Sequence, residues 1–425
     1  MMLKMTTKLR RVFGSKLGYL SFLYLLVFSI LPNLGGCSAI CRYYPEGLYY
    51  NYEPVYLSWD KLRDVESLAA RAIQEAGKIY LHHNYLLINE PQKGIHILDN
   101  SEPQNPQKLS FIAIPGNVDL LVRDEVLYAD NYVDLIALDI SNPSNVTLIK
   151  RIENVFSETY AGRTDPEKGI IIDYEEGDPI SYPSAYFCGQ VVYDASNPPP
   201  ARPTVSQAGS LTRFAAMQEV LYTIDGSALQ NFNIADPRDP KVLNRLPVGF
   251  GIETLFPYED KLFIGAMQGM HIYDASTPSN PQALGSINHI QSCDPVVVQG
   301  NLAYVTLRGS CFNQANRLEI IDISEPSTAK VVNNYLLQEP YGLGIDGDYL
   351  FVCDGDAGLK VFDHATEPDN LSMIRQFDEV KARDIIPFEN QAIVIAENGL
   401  FQYDYSALPG GNLQLLSQIL IPESP

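Results

Sequence analysis

The sequence predicts an all-β chain folded as a single β-propeller, and three observations carry that prediction. An apolar strand ending in aspartate, followed by small or hydroxyl residues and proline, recurs eight times. The copies sit at a nearly constant spacing of about forty residues, the length of one four-stranded propeller blade. Each copy also holds four short apolar runs punctuated by acid, Gly or Pro, and almost nothing after Tyr80 has helical periodicity.

The repeats read ILDNSEPQNP (97–106), LDISNPSNV (138–146), VYDASNPPP (192–200) and FNIADPRDP (232–240), then IYDASTPSNP (272–281), IIDISEPSTA (320–329), VFDHATEPDN (361–370) and QYDYSALPGG (402–411). Their anchors are Asp99, Asp139, Asp194, Asn233, Asp274, Asp322, Asp363 and Asp404, at spacings of 40, 55, 39, 41, 48, 41 and 41 residues. Eight units predict about eight four-stranded blades, with seven as the other count this arithmetic allows. At each anchor the Asp and Ser side chains are suited to bonding nearby backbone N–H groups, while Pro fixes φ beyond the strand.

On these strand-plus-turn motifs the chain resembles the LVIVD-repeat family of bacterial surface-associated propeller lipoproteins. LDISNPSNV, IIDISEPSTA and IYDASTPSNP carry the resemblance, which spans roughly residues 77–420. It implies a propeller at the cell envelope and no particular activity. Units seven and eight depart from the pattern, since FDHATEP and YDYSALP hold one extra residue before proline. How the ring closes is therefore left open.

The N-terminus predicts an address. Basic residues up to Lys16 precede the apolar run LGYLSFLYLLVFSIL (17–31), which is short for a membrane-spanning helix and right for a signal peptide. LGGC (34–37) then resembles a lipobox, with Cys37 as the lipidated residue. The expected organisation is a lipoprotein signal peptide at 1–36, a lipidated tether at 37–76 and a propeller at 77–425. Within the tether, WDKLRDVESLAARAIQEA (59–76) is spaced for one short helix, or for a lead-in that packs on the first blade and helps close the ring. The expected location is the bacterial cell envelope, on the outer membrane if the source is Gram-negative, with the bilayer as one partner through palmitate-type acyl chains.

Charge narrows the function. The whole chain is at −21, from 30 basic and 51 acidic residues; losing Lys4, Lys8, Arg10, Arg11 and Lys16 with the signal peptide leaves 25 against 51, or −26. So acidic a surface repels phosphate backbones, which excludes nucleic acid as a partner class. An oxidising compartment permits disulfides. Cys293 and Cys311 are the best-placed pair, one at the start of a first strand and one in the insertion RGSCFNQANR (308–317) of the same unit.

Candidate binding residues gather at the propeller mouth. The position that opens each first strand reads Lys78, Asp119, Gly162, Arg213, Thr254, Asp294, Gly342 and Asp384, with Glu253 beside Thr254. Two readings follow. The charges either neutralise one another around a hydrated hole, or Asp119, Arg213, Glu253, Asp294 and Asp384 form a site for a polar ligand or ion. Propeller architecture would put the long insertions at 175–189 and 308–317, between second and third strands, on the same face. The pair Asp354–Asp356 in CDGDAG (353–358) reads mainly as a turn, with Gly358 as a hairpin glycine. The abundant tyrosines read as blade-packing groups with a wet hydroxyl.

No catalytic triad, zinc-binding spacing or phosphate-cradling loop is present, so no catalytic or metal residue is assigned. No cofactor is implied, and only a divalent cation is left open. The leading function is a monomeric, membrane-tethered scaffold that binds an envelope protein or polysaccharide. The alternative is a metal-assisted hydrolase or lyase using the mouth carboxylates.

Overall fold

The computed structural model describes residues 41–44, 47–182, 185–188, 212–267, 269–288, 292–293, 295–309 and 316–421. The chain divides into two compact units, one of residues 1–53 with 175–200 and one of 54–174 with 201–425.

The larger unit is a ring of antiparallel sheets. Among the described residues seven blades form, at 79–113, 120–152, 214–247, 252–288, 292–336, 343–377 and 382–420. Each takes four consecutive strands in sequence order, first strand inward and fourth outward. The middle strands are apolar on both faces because each face packs against a neighbouring blade. Val126–Asn131 and Val220–Asp225 are buried at every position.

Among the described residues the third repeat supplies no blade. Its strand Gly169–Tyr182 pairs with Gly47–Leu57, and its anchor Asp194 lies outside the described residues. The core next to blade two instead contains Phe214, Leu221, Phe232 and Ile234 of blade three, together with Val155 and Phe156 from the connecting loop. The physical reason is compositional. GIIIDYEEGDPISY carries charges on a strand that would need both faces buried. Gly162 accordingly opens no first strand, and the mouth column has seven members.

In the smaller unit, Cys41–Tyr44 pairs antiparallel with Ala185–Cys188, with Cys41 opposite Cys188.

The anchor turns recur in all seven blades. The side chain of Asp99 accepts from Ser101 N at 2.9 Å, Asp139 from Ser141 N at 2.9 Å, Asp274 from Ser276 N at 2.8 Å and Asp404 from Ser406 N at 2.7 Å. Asn233, Asp322 and Asp363 make the same bond. The prolines beyond the anchors have a second use. Tyr128 and Tyr222 hydroxyls donate to the Pro237 and Pro278 carbonyls of the next blade, at 2.7 and 2.6 Å, and Tyr304 donates to Pro368 at 2.8 Å. These hydroxyls are interblade latches, which corrects the expectation that they are wet.

At Gly94 and Gly358, each five residues before an anchor, crowding requires glycine. A Cβ on Gly94 would lie 1.9 Å from the Ile112 carbonyl of the fourth strand, and one on Gly358 would lie 2.3 Å from Phe377 O. Both glycines also hold positive φ, 143° and 83°.

Residues 59–76 form less helix than their spacing suggests. The helix covers only Trp59–Arg63, capped by Ser58, which accepts from Lys61 N at 3.4 Å. Glu66–Ala69 then adds a fifth strand to the outer edge of blade one, covering its unpaired backbone groups. Ile73 and Ala76 enter the core shared with Ile393, Ile395 and Leu400 of blade seven. That core closes the ring. Asn100 and Gln402 exchange amide hydrogen bonds at 3.0 and 2.7 Å across the same seam. Each blade is thus contiguous in sequence, and closure rests on side chains.

Candidate functional site

The first strands begin at one rim of the ring, and the residues that open them are mostly buried. Lys78, Asp119, Thr254 and Asp384 are each at most 5 % exposed. The charges of Lys78 and Asp119 turn sideways, between blades. The Asp119 carboxylate accepts from Lys78 Nζ of blade one, from the Arg213 backbone N–H of blade three and from Leu120 N at 2.7 Å. One carboxylate thereby joins three blades. A buried carboxylate with three donors is a structural group.

Asp130 stands behind it. A single oxygen, Oδ1, accepts from Val118 N at 2.8 Å, Asp119 N at 2.9 Å and Asn117 Nδ2 at 2.8 Å. Complete burial nevertheless pushes the Asp130 carboxyl up to about 6, with the two backbone donors opposing. Burial also lowers the Lys78 ammonium, against the pull of Asp119.

The other sequence-selected residues are placed as follows. Arg213 joins the Asp119 cluster through its backbone, while its guanidinium donates to Thr159 Oγ1 at 3.4 Å and Ile224 O at 3.3 Å. Asp384 is fully buried, and with Asp354 it adds to the burial that raises the Cys353 thiol. Asp294 lies outside the described residues, as do Cys311 and Cys37, and hence the Cys293–Cys311 pairing and the lipidation site. Glu253 is the extra residue of a β-bulge, since pairing shifts between Ile252 and Thr254. Arg383 is the same kind of residue in blade seven, at the shift between Ala382 and Asp384. Bulges re-aim a side chain away from the regular strand direction.

That equivalence exposes a cluster the sequence reading missed. Arg383 Nη1 donates to the Tyr341 hydroxyl at 2.6 Å, and that hydroxyl donates to Glu339 Oε1 at 2.6 Å. The Arg308 and Arg383 guanidinium carbons lie 4.5 and 4.7 Å from the Tyr341 ring centroid. Blades five and seven contribute the arginines, the link between blades five and six contributes Tyr341 and Glu339, and all four side chains are half-buried. The signal was available in KARDIIP, where Arg383 precedes the column residue just as Glu253 does in GIETLF.

CDGDAG is a clasp and a turn. Asp354 is fully buried and accepts from Gln338 N at 2.9 Å, Glu339 N at 2.7 Å and Lys360 Nζ. Asp356 points outward to Lys381 Nζ at 3.0 Å. Among the described residues, no group of three or more His, Cys, Asp or Glu is arranged to hold a metal ion.

The family model for the LVIVD repeat matches residues 122–153, 292–336 and 342–374, which are blades two, five and six. The chain carries LVIVD repeats. No curated relative matches the sequence. Among solved structures, the computationally designed Ika8 protein superposes with a TM-score of 0.51 at 12 % identity, covering 84 % of this chain and 90 % of that one. The periplasmic gluconolactonase PpgL of Pseudomonas aeruginosa gives 0.50 at 10 % identity, covering 84 % and 97 %. At such identities the likeness concerns the fold alone, and an LVIVD-repeat propeller fits a binding or scaffold role.

Proposed function

We propose that this LVIVD-repeat protein is a lipid-anchored propeller of the bacterial cell envelope that binds a protein or polysaccharide partner at its mouth rim. One observation carries the reading: bulged Arg383 meets Tyr341 and Glu339 in a half-exposed polar cluster built from separate blades. Arginine and tyrosine are the residues most often found as binding anchors. Glu253, bulged in the same way, extends the rim to blade four. The signal-peptide pattern and Cys37 support the anchor.

The hydrolase or lyase alternative leaned on mouth carboxylates free to move protons or hold a cation. Asp119 is instead taken up by Lys78 and two backbone N–H groups. The test is affinity capture from envelope extracts with the tethered protein and its Arg383→Glu/Tyr341→Ala variant. The variant should lose the partner that the unaltered protein retains. Equal capture by both would move binding away from the mouth.

A further inference from the structure

The first strands of the ring wall a channel of about 500 Å³, and the side chains that line it are mostly apolar. Phe214, Leu255, Val297, Phe256, Ile345 and Ile386 contribute from five blades, and the last three are only half-buried, so they face open space. Two polar side chains of the wall bond to its own backbone. Tyr80 donates its hydroxyl to Val122 O at 3.2 Å, and Thr212 Oγ1 donates to Leu255 O at 2.9 Å. Among the described lining residues one is charged. Arg123 ends the first strand of blade two, Leu120–Arg123, away from the rim where Asp119 lies. Its ion-pair neighbour, Asp124, is 3.9 Å away and 74 % exposed, a weak hold on the guanidinium.

We infer that the channel binds a single-chain amphiphile with an anionic head, of the fatty-acid class, with its hydrocarbon along the apolar wall and its carboxylate on Arg123. Three features select this class. The volume falls within the range of small-molecule pockets lined by apolar groups and a few polar ones. A passage framed by parallel first strands suits a linear chain better than a branched or two-chain one. A guanidinium at one end offers a planar, two-pronged match to a carboxylate. The inference is independent of the partner proposed for the rim, because none of its residues belongs to the rim cluster.

The test is calorimetric titration of the whole chain in lipid nanodiscs with sodium octanoate, decanoate and dodecanoate, subtracting empty nanodiscs. Burial of hydrocarbon predicts roughly 4-fold tighter binding for each added methylene. Ala216, a small residue of the wall, is the place to obstruct the channel. Ala216→Phe should abolish dodecanoate binding while the thermal transition persists. Arg123→Gln should remove the preference for dodecanoate over dodecanol. Equal affinity for the three chain lengths, or no binding of dodecanoate, would overturn the inference. That series uses unaltered protein, so it decides the matter even if Ala216→Phe misfolds. A preference for dodecanoate that survives Arg123→Gln would overturn the assigned head-group contact.

Discussion

Lys78 Nζ, at the entrance of blade one, is hydrogen-bonded to the carboxylate of Asp119 at the entrance of blade two, and both side chains are buried. Removing one partner leaves the other as an uncompensated buried charge, which is strongly destabilising. Asp119→Asn should therefore lower unfolding free energy by about 3–5 kcal/mol, measured by urea denaturation. The double variant Lys78→Met/Asp119→Asn should recover part of that loss. A single variant as stable as the unaltered protein would deny the pair a structural role.

Asp130 gives the ring a pH dependence of unusual sign. Its folded-state pKa, about 6, lies above the ordinary 3.8. Between those values the native state holds a proton that the unfolded chain has released, so stability falls as pH rises from about 4 to about 6. The shift corresponds to roughly 3 kcal/mol at neutral pH. Asp130→Asn keeps an Oδ1 to accept all three hydrogen bonds and removes the buried charge. Denaturation midpoints across pH 4–7 should show this component of the slope gone and a gain at pH 7. A steeper fall with pH in the variant would contradict the assignment.

The tyrosine latches are tested most simply at blade three. Tyr222→Phe leaves the Pro278 carbonyl without its 2.6 Å donor, which should cost about 1–2 kcal/mol. Blade four already carries Phe263 in the same register, so the ring geometry tolerates the ring without its hydroxyl. An unchanged midpoint would show that solvent replaces the donor.

Much of the fold was legible because it is local. Strands bounded by turn residues, the Asp-x-Ser turn at Asp139 and the crowded glycine at Gly94 are all dictated by neighbours in sequence. Pairing between distant segments was not legible. Nothing near Gly169–Tyr182 announces that its partner is Gly47–Leu57, although its charges made it a poor blade strand. At the mouth, the column position was right for Lys78, Asp119 and Arg213. The direction was missed, because strand register cannot tell whether a charge faces the channel or the next blade. Arg213 illustrates this best, since it serves Asp119 through its backbone N–H, a group no side-chain motif advertises. Arg383 and Tyr341 meet across two blades, and only the closed ring brings them together.

The anchor makes its own prediction. Cys37→Ala should shift the protein from the membrane fraction to the soluble fraction while leaving its thermal unfolding transition in place. Persistent membrane association in that variant would contradict lipidation at Cys37.

The central structural claim is that blade two abuts blade three directly. Lys150 Nζ on the outer strand of blade two lies 2.6 Å from Asp239 Oδ1 in the anchor turn of blade three, and both are solvent-accessible. A zero-length carbodiimide cross-link read by mass spectrometry tests that contact. The account predicts a Lys150–Asp239 amide within the monomer. Cross-links from Lys150 only to residues 153–211 would place the third repeat between the two blades and contradict it.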